Sequence, residues 1–164
     1  MSVSQRRLSA IKLLAFAIDG TLTDGTTWWG GEEVGWLQRY SARDGDALRR
    51  LARHIHVVPL SCNQTASARE FAARFELDGR WIGVSDKLAA LREICRQYVV
   101  DETNVCFVGN GFEDVGVLRA VGVGCAVANA HPDALAAADT VLGPAGGDHV
   151  IEAMEPLLPG VAAP

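Results

Sequence analysis

Several absences narrow the reading before any motif is considered. The apolar run Leu13 to Ile18 is preceded by Lys12 and cut by Asp19, so it falls far short of the roughly 20 residues of a membrane span. Positive charge is not in excess. Fifteen Lys and Arg face 20 Asp and Glu, a net charge of −5, which removes the electrostatic reason to expect nucleic acid or an anionic membrane as partner. The four cysteines, Cys62, Cys95, Cys106 and Cys125, form no CxxC pair, so reduced thiols of a cytoplasmic protein are expected. Arg6-Arg7 before LSAIKLLAFAI imitates a twin-arginine or secretory signal, but no small-residue cleavage site follows. Residues before Lys12 read as a ragged leader, and the protein is expected to be cytoplasmic. No internal repeat, low-complexity tract or linker divides the 164 residues, which predicts one domain with a core over about 11–158.

What is present alternates. Leu13 to Ile18 predicts a buried strand ending at Asp19-Gly20. Thr26 to Trp29, a Gly30-Gly31 turn and Val34 to Tyr40 predict a β-hairpin carrying Trp28, Trp29 and Trp36. Such a ribbon is marginal alone, so its indoles need burial, either against the body or against another subunit. From Arg43-Asp44-Gly45 a helix follows with Ala47, Leu48, Leu51 and Ala52 inward. Ile55 to Leu60 predicts the second strand, ending in Ser61-Cys62-Asn63. Thr65 or Ser67 caps a helix to about Phe75. Trp81 to Val84 predicts a third strand, and Ser85 an N-cap for a helix from Asp86-Lys87 to about Tyr98. Val105 to Val108 is the fourth strand, ending at Gly109-Asn110-Gly111. A helix through Val115 and Leu118, a strand Gly122 to Val127, a helix from His131-Pro132, a brief strand Thr140 to Leu142 and a helix Val150 to Leu158 complete the pattern, with a frayed end from Pro159. His54 and His56 read as surface or packed histidines. Alternation of this kind predicts an α/β fold: a doubly wound, Rossmann-like, mostly parallel sheet with helices on both faces, a hairpin after strand 1, and no separate cap domain.

In such sheets ligands bind at the carboxyl ends of the strands. There the segments AIDGTLTDG (Ala17 to Gly25), Gly31 to Glu33, Arg43 to Gly45, VGNGFEDVGVLRAVGVGCAVANAHP and Ala145 to Gly147 resemble the haloacid dehalogenase-like phosphatases. The resemblance points to the capless branch that includes the 3-deoxy-octulosonate 8-phosphate phosphatases, and covers nearly the whole chain. It implies a nucleophilic Asp, a second Asp as acid and base, a hydroxyl and a Lys that hold phosphoryl oxygens, and carboxylates that hold Mg²⁺. By that likeness Asp19 matches the acid/base, Lys87 the phosphate-binding Lys, Ser61 the hydroxyl and Asp114 the last acidic residue of the fourth motif. The resemblance also implies tetramers formed through the hairpins, here with Trp28, Trp29 and Trp36, so a homotetramer is expected, with a dimer as the fallback.

The departures carry as much information. Ala17 occupies the nucleophile position, Asn110 and Gly111 stand where paired aspartates are expected, Cys62-Asn63 replaces a usual Gly-Arg, and Asp148-His149 follows the Ala145 to Gly147 segment. Alanine cannot form an aspartyl-phosphate, and removing a catalytic nucleophile costs on the order of 10⁴ to 10⁶ in rate. With Asp19, Asn110 and Asp114 as the vestiges of a metal set, no cofactor and no bound metal are expected. Cys62, at a strand end beside a helix N-terminus, is placed where a thiolate would be favoured, but the Cys-dependent phosphatases need Arg six positions on, where Ala68 stands. Asp24, Glu32, Glu33, Glu113 and Asp133 read as solvated or capping charges. The leading reading is a pseudophosphatase with a binding or assembly role near sugar-acid or secondary metabolism. In it Ser61, Cys62, Asn63, Lys87 and Asn110 line a site for a small anionic ligand. The alternatives are an enzyme of altered chemistry using Asp19 and Lys87 on an anionic sugar-type substrate, and a weak Mg²⁺-dependent phosphatase.

Overall fold

Four consecutive apolar residues, all sealed from solvent, make β1 (Leu13–Phe16) an interior strand, as burial on both faces of a parallel sheet requires. The computed structural model describes residues 3–160. Around β1 stand β4 (His56–Pro59), β5 (Val105–Gly109), β6 (Val123–Ala126) and β7 (Thr140–Val141) in the order β4-β1-β5-β6-β7. All neighbours are parallel, with Leu13 opposite both His56 and Val105. The crossovers are α2 (Ala42–Leu51), α3 (Ala66–Arg74), α4 (Lys87–Tyr98), α5 (Val115–Ala120) and α6 (Pro132–Ala137), and α7 (Val150–Met154) follows the last strand. α2 packs on α7, while α5 packs on α4 and α6. This is the doubly wound Rossmann-like α/β architecture. No helix among the described residues is long and apolar enough to cross a membrane.

Local chemistry sets the helix boundaries. Ser41, Thr65 and Asp86 cap α2, α3 and α4 by accepting from the N–H of Asp44, Ala68 and Ala89. The cap of α4 is thus Asp86 and not Ser85. Its apolar stripe buries Leu91, Ile94 and Cys95, and the helix ends at Val99 in the left-handed region. Along α2, Ala47, Leu48 and Leu51 are buried, whereas Ala52 remains exposed.

Two other expectations change. The leader is not ragged over its described part: Gln5–Ser9 form a short helix, α1, tied down by Arg7, which donates to the Gly122 carbonyl and pairs with Asp139 at 2.9 Å. The third strand is reduced to one bridge between Ser61 and Ile82, because a tight turn at Gly79–Trp81 and Gly83 at φ +91 leave no extended run. At the other end, Gly160 at φ +86 packs against His54; residues 161–164 of the expected frayed end lie outside the described residues.

The hairpin is present but short, with β2 (Trp28–Trp29) antiparallel to β3 (Trp36–Leu37). Gly30 N–H donates to the Gly35 carbonyl at 2.8 Å to close the turn. Trp29 and Trp36 meet edge to face at 5.3 Å, yet Trp28, Trp29 and Trp36 stay 46%, 55% and 55% exposed. Packing of the indoles against the body of the same chain is not what the fold provides.

Candidate functional site

The chain leaves β1 at Ala17 and coils through Ile18–Leu22, with Asp19 extended and Gly20 at φ +69. Gly20 is required there, since a Cβ would sit 2.1 Å from the Asn110 amide nitrogen. Thr23 Oγ1 accepts from Gly20 N and Gly25 N, which fixes the loop. This turn puts Asp19 at the carboxyl edge of the sheet, opposite the end of β5 and beside the segment after β4.

Asp19, Ser61, Asn63, Lys87, Asn110 and Asp114 are all brought to that edge. Asp19 Oδ1 accepts from Asn63 Nδ2 at 2.7 Å and from Gln38 Nε2. Gln38 was not singled out in the sequence, yet its side chain is saturated: Oε1 accepts from Tyr40 Oη at 3.1 Å, Asn63 Nδ2 at 3.2 Å and Ser67 Oγ at 3.1 Å. An amide clamp from the hairpin's return arm and from the loop after β4 therefore closes on the one acidic residue kept at the end of β1. Ser61 Oγ accepts from Asn63 N at 3.1 Å, and Asn63 Oδ1 from Thr65 N at 2.7 Å, which orients the clamp.

Across the crevice Lys87 is nearly sealed, and its Nζ donates to Asp114 Oδ1 at 2.6 Å. The other oxygen of Asp114 accepts from Asn110 N at 2.8 Å and Gly111 N at 2.9 Å. Glu113, expected as a solvated charge, is mostly exposed but reaches within 3.8 Å of Lys87. Lys87 thus has no uncompensated charge to offer an incoming anion. Asp24 and Asp133 are local charges as expected: Asp24 accepts from Thr26 N, and Asp133 lies beside His131. His56 stacks at a tilt on Tyr98, 4.7 Å away.

Cys62 is exposed and stands near this group, but the thiolate favoured by its place in the sequence is not supported. Desolvation pushes its thiol up, outweighing the attraction of Lys87, and Glu113, Asp114 and Asp19 push the same way. All four cysteines are free thiols.

Mg²⁺ demands near-octahedral oxygen coordination, and the residues here do not fit it. Ala17 is a buried methyl, Asn110 Oδ1 accepts from Thr21 Oγ1 at 3.3 Å, and both Asp114 oxygens are spent. No group of three His, Cys, Asp or Glu side chains among the described residues is placed to hold a metal. A further residue that the sequence did not mark is Asn129, whose Oδ1 accepts from Gly146 N at 2.9 Å. Gly146-Gly147 lie against Gly20 and Asp24 so closely that a Cβ at either would clash with backbone.

Sheet order, exit turn and crevice together define a Rossmann-like α/β frame with its site at the carboxyl edge of the sheet. Residues 82–154 match the family described as haloacid dehalogenase-like hydrolase, and over 140 residues the chain is 33% identical to the 3-deoxy-D-manno-octulosonate 8-phosphate phosphatase of Escherichia coli K12, covering 84% of this chain and 73% of that one. The chain belongs to the haloacid dehalogenase-like hydrolases and is homologous to the 3-deoxy-D-manno-octulosonate 8-phosphate phosphatases. Among solved structures, that phosphatase from Yersinia pestis superposes with a TM-score of 0.86 at 27% identity, over 93% of this chain and 83% of that one. The cobalt-bound form of the deoxy-D-mannose-octulosonate 8-phosphate phosphatase from Haemophilus influenzae gives 0.84 at 25% identity, over 92% and 88%.

Proposed function

We propose that this chain acts by binding in the crevice and by assembling through the hairpin, without passing through an aspartyl-phosphate. The observation that carries this reading is the end of β1: a buried methyl at Ala17 where the fold needs a nucleophile, next to an Asp19 clamped by two amides. A small anionic ligand enters only if it draws Lys87 away from Asp114. The half-exposed indoles of Trp28, Trp29 and Trp36 support a homotetramer joined at the ribbon.

One observation favours a second reading, slow hydrolysis. Asp19, Ser61, Lys87 and Asp114 still converge, and the relatives are phosphatases, one of them cobalt-bound. Here Asp19 would act as general base on water, with no covalent step. Assay of wild type with p-nitrophenyl phosphate and sugar-acid phosphates, with and without Mg²⁺ or Co²⁺, separates the two. We expect no turnover, and we expect Ala17→Asp/Asn110→Asp/Gly111→Asp together to be needed for any Mg²⁺ dependence. Wild-type turnover at about 1 per second or more sinks the binding reading.

A further inference from the structure

On the far side of Gln38 from Asp19, a cavity of about 390 Å³ opens between the hairpin's return arm and α3, a volume in the range of small-ligand pockets. One wall is aromatic. Tyr40 and Phe71 stack at 4.5 Å with planes 18° apart, and Phe75 continues the wall 4.8 Å from Phe71. Gly45 makes room for that ring, since a Cβ there would lie 2.1 Å from it.

The uncharged polar groups of the lining are largely committed to one another: Ser67 and Tyr40 both donate to Gln38. What is left is charge. Arg74 and Glu70 line the mouth, and neither has a salt-bridge partner among the described residues. The Arg74 guanidinium lies over Phe75, 5.9 Å from its centroid, and Arg49 lies over the same ring at 4.8 Å while donating to the Arg74 carbonyl at 2.6 Å. Two guanidiniums therefore gather at the Phe75 end, and that of Arg74 keeps its donor fork free. A neutral arene would cover the wall but leave Arg74 unpaired. An inorganic anion would pair with Arg74 but leave the wall wet. A flat ring bearing a carboxylate answers the wall and Arg74 together, with the carboxylate on the guanidinium fork and the ring along Tyr40 and Phe71; the exposed Glu70 carboxylate works against it, and the Arg49 guanidinium over Phe75 offsets that repulsion.

We propose that this cavity is a binding site, separate from the Asp19 crevice, for small aromatic carboxylates, with Arg74 as the anion anchor. The proposal stands apart from whether the crevice performs chemistry. Because Gln38 is shared, occupancy is felt at Asp19 through the clamp. The test is a titration of ¹⁵N-labelled full chain with benzoate, with benzamide as the neutral counterpart and inorganic phosphate as the anion without a ring. Benzoate should give saturable shifts at Tyr40, Ser67 and Glu70 and at the Gln38 side-chain amide by about 10 mM, an ordinary weak affinity. Benzamide should bind about ten-fold more weakly, and the exposed Arg74→Ala should lower benzoate affinity by about the same factor while leaving benzamide unchanged. Absence of saturation with benzoate, equal binding of benzamide, or shifts centred on Ser61, Lys87 and Asn110 instead would each overturn the proposal.

Discussion

Asp44 is fully buried, and only one of its oxygens is bonded. Oδ1 accepts from Ile151 N at 2.9 Å and Glu152 N at 3.0 Å, so a residue at the start of α2 holds the first turn of α7. Oδ2 has no partner. Burial pushes its carboxyl above the usual value of 3.8, with the amides of Glu152 and Ile151 pulling the other way. The sign follows from proton linkage: a carboxyl raised in the folded state binds its proton more tightly there, so it favours folding at low pH and loses that contribution as pH rises from about 3.8 through the raised value. Asp44→Asn keeps the Oδ1 acceptor and has no proton to lose. We expect the melting temperature of Asp44→Asn to show a flatter pH dependence across that window than wild type, measured between pH 4 and neutrality. Asp44→Ala, which strands two α7 donors, should cost about 1–3 kcal/mol by chemical denaturation. The Arg43 to Gly45 segment stood out in the sequence; its reason, a bond to residues more than 100 positions away, did not, because a cap supplied across the fold leaves no local pattern.

At the level of elements, the long and strongly patterned ones were legible. β1, β5 and α4 fall within a residue or two of their expected bounds, since a buried strand or an amphipathic stripe writes its periodicity into the chain. The expected strand at Trp81 to Val84 failed because an apolar run as short as Trp-Ile-Gly-Val does not distinguish a strand from a turn with one bridge. α1 was missed because five residues carry too little periodicity, and Arg7 secures it only once Gly122 and Asp139 are in place. The crevice divides the same way. Asp19, Ser61, Lys87 and Asp114 sit in recognisable motifs, while Gln38 reaches Asp19 from the other arm of a hairpin, which no spacing announces. The loop at Gly146-Gly147 offers a test at this scale. A Cβ at Gly146 would lie 2.0 Å from the Gly20 carbonyl oxygen, and backbone cannot yield as a side chain can. Gly146→Ala should cost about 1–3 kcal/mol in stability and move the Asp19 turn, seen as shifts of the Gly20 and Thr23 amides. A neutral result would mean the loop does not brace the crevice.

For the whole molecule, the proposed association runs through the ribbon. Burying the remaining half of each indole, about 100 Å² at about 25 cal/mol per Å², contributes about 2.5 kcal/mol per tryptophan before the cost of association. Light scattering should therefore give a homotetramer for wild type, with a dimer as the fallback, and a monomer for Trp28→Ala/Trp29→Ala; a wild-type monomer at micromolar concentration removes this account. The two rims of the five-stranded sheet bear on the same question. β4 carries Pro59, which has no N–H to lend, and its continuation is met by Ile82, while β7 offers only two residues. Strand-to-strand growth between copies is thereby denied a template. If the ribbon carries assembly, the sheet rims add no second sticking surface, so stripping the ribbon of its tryptophans should yield a monodisperse single subunit and not a precipitate.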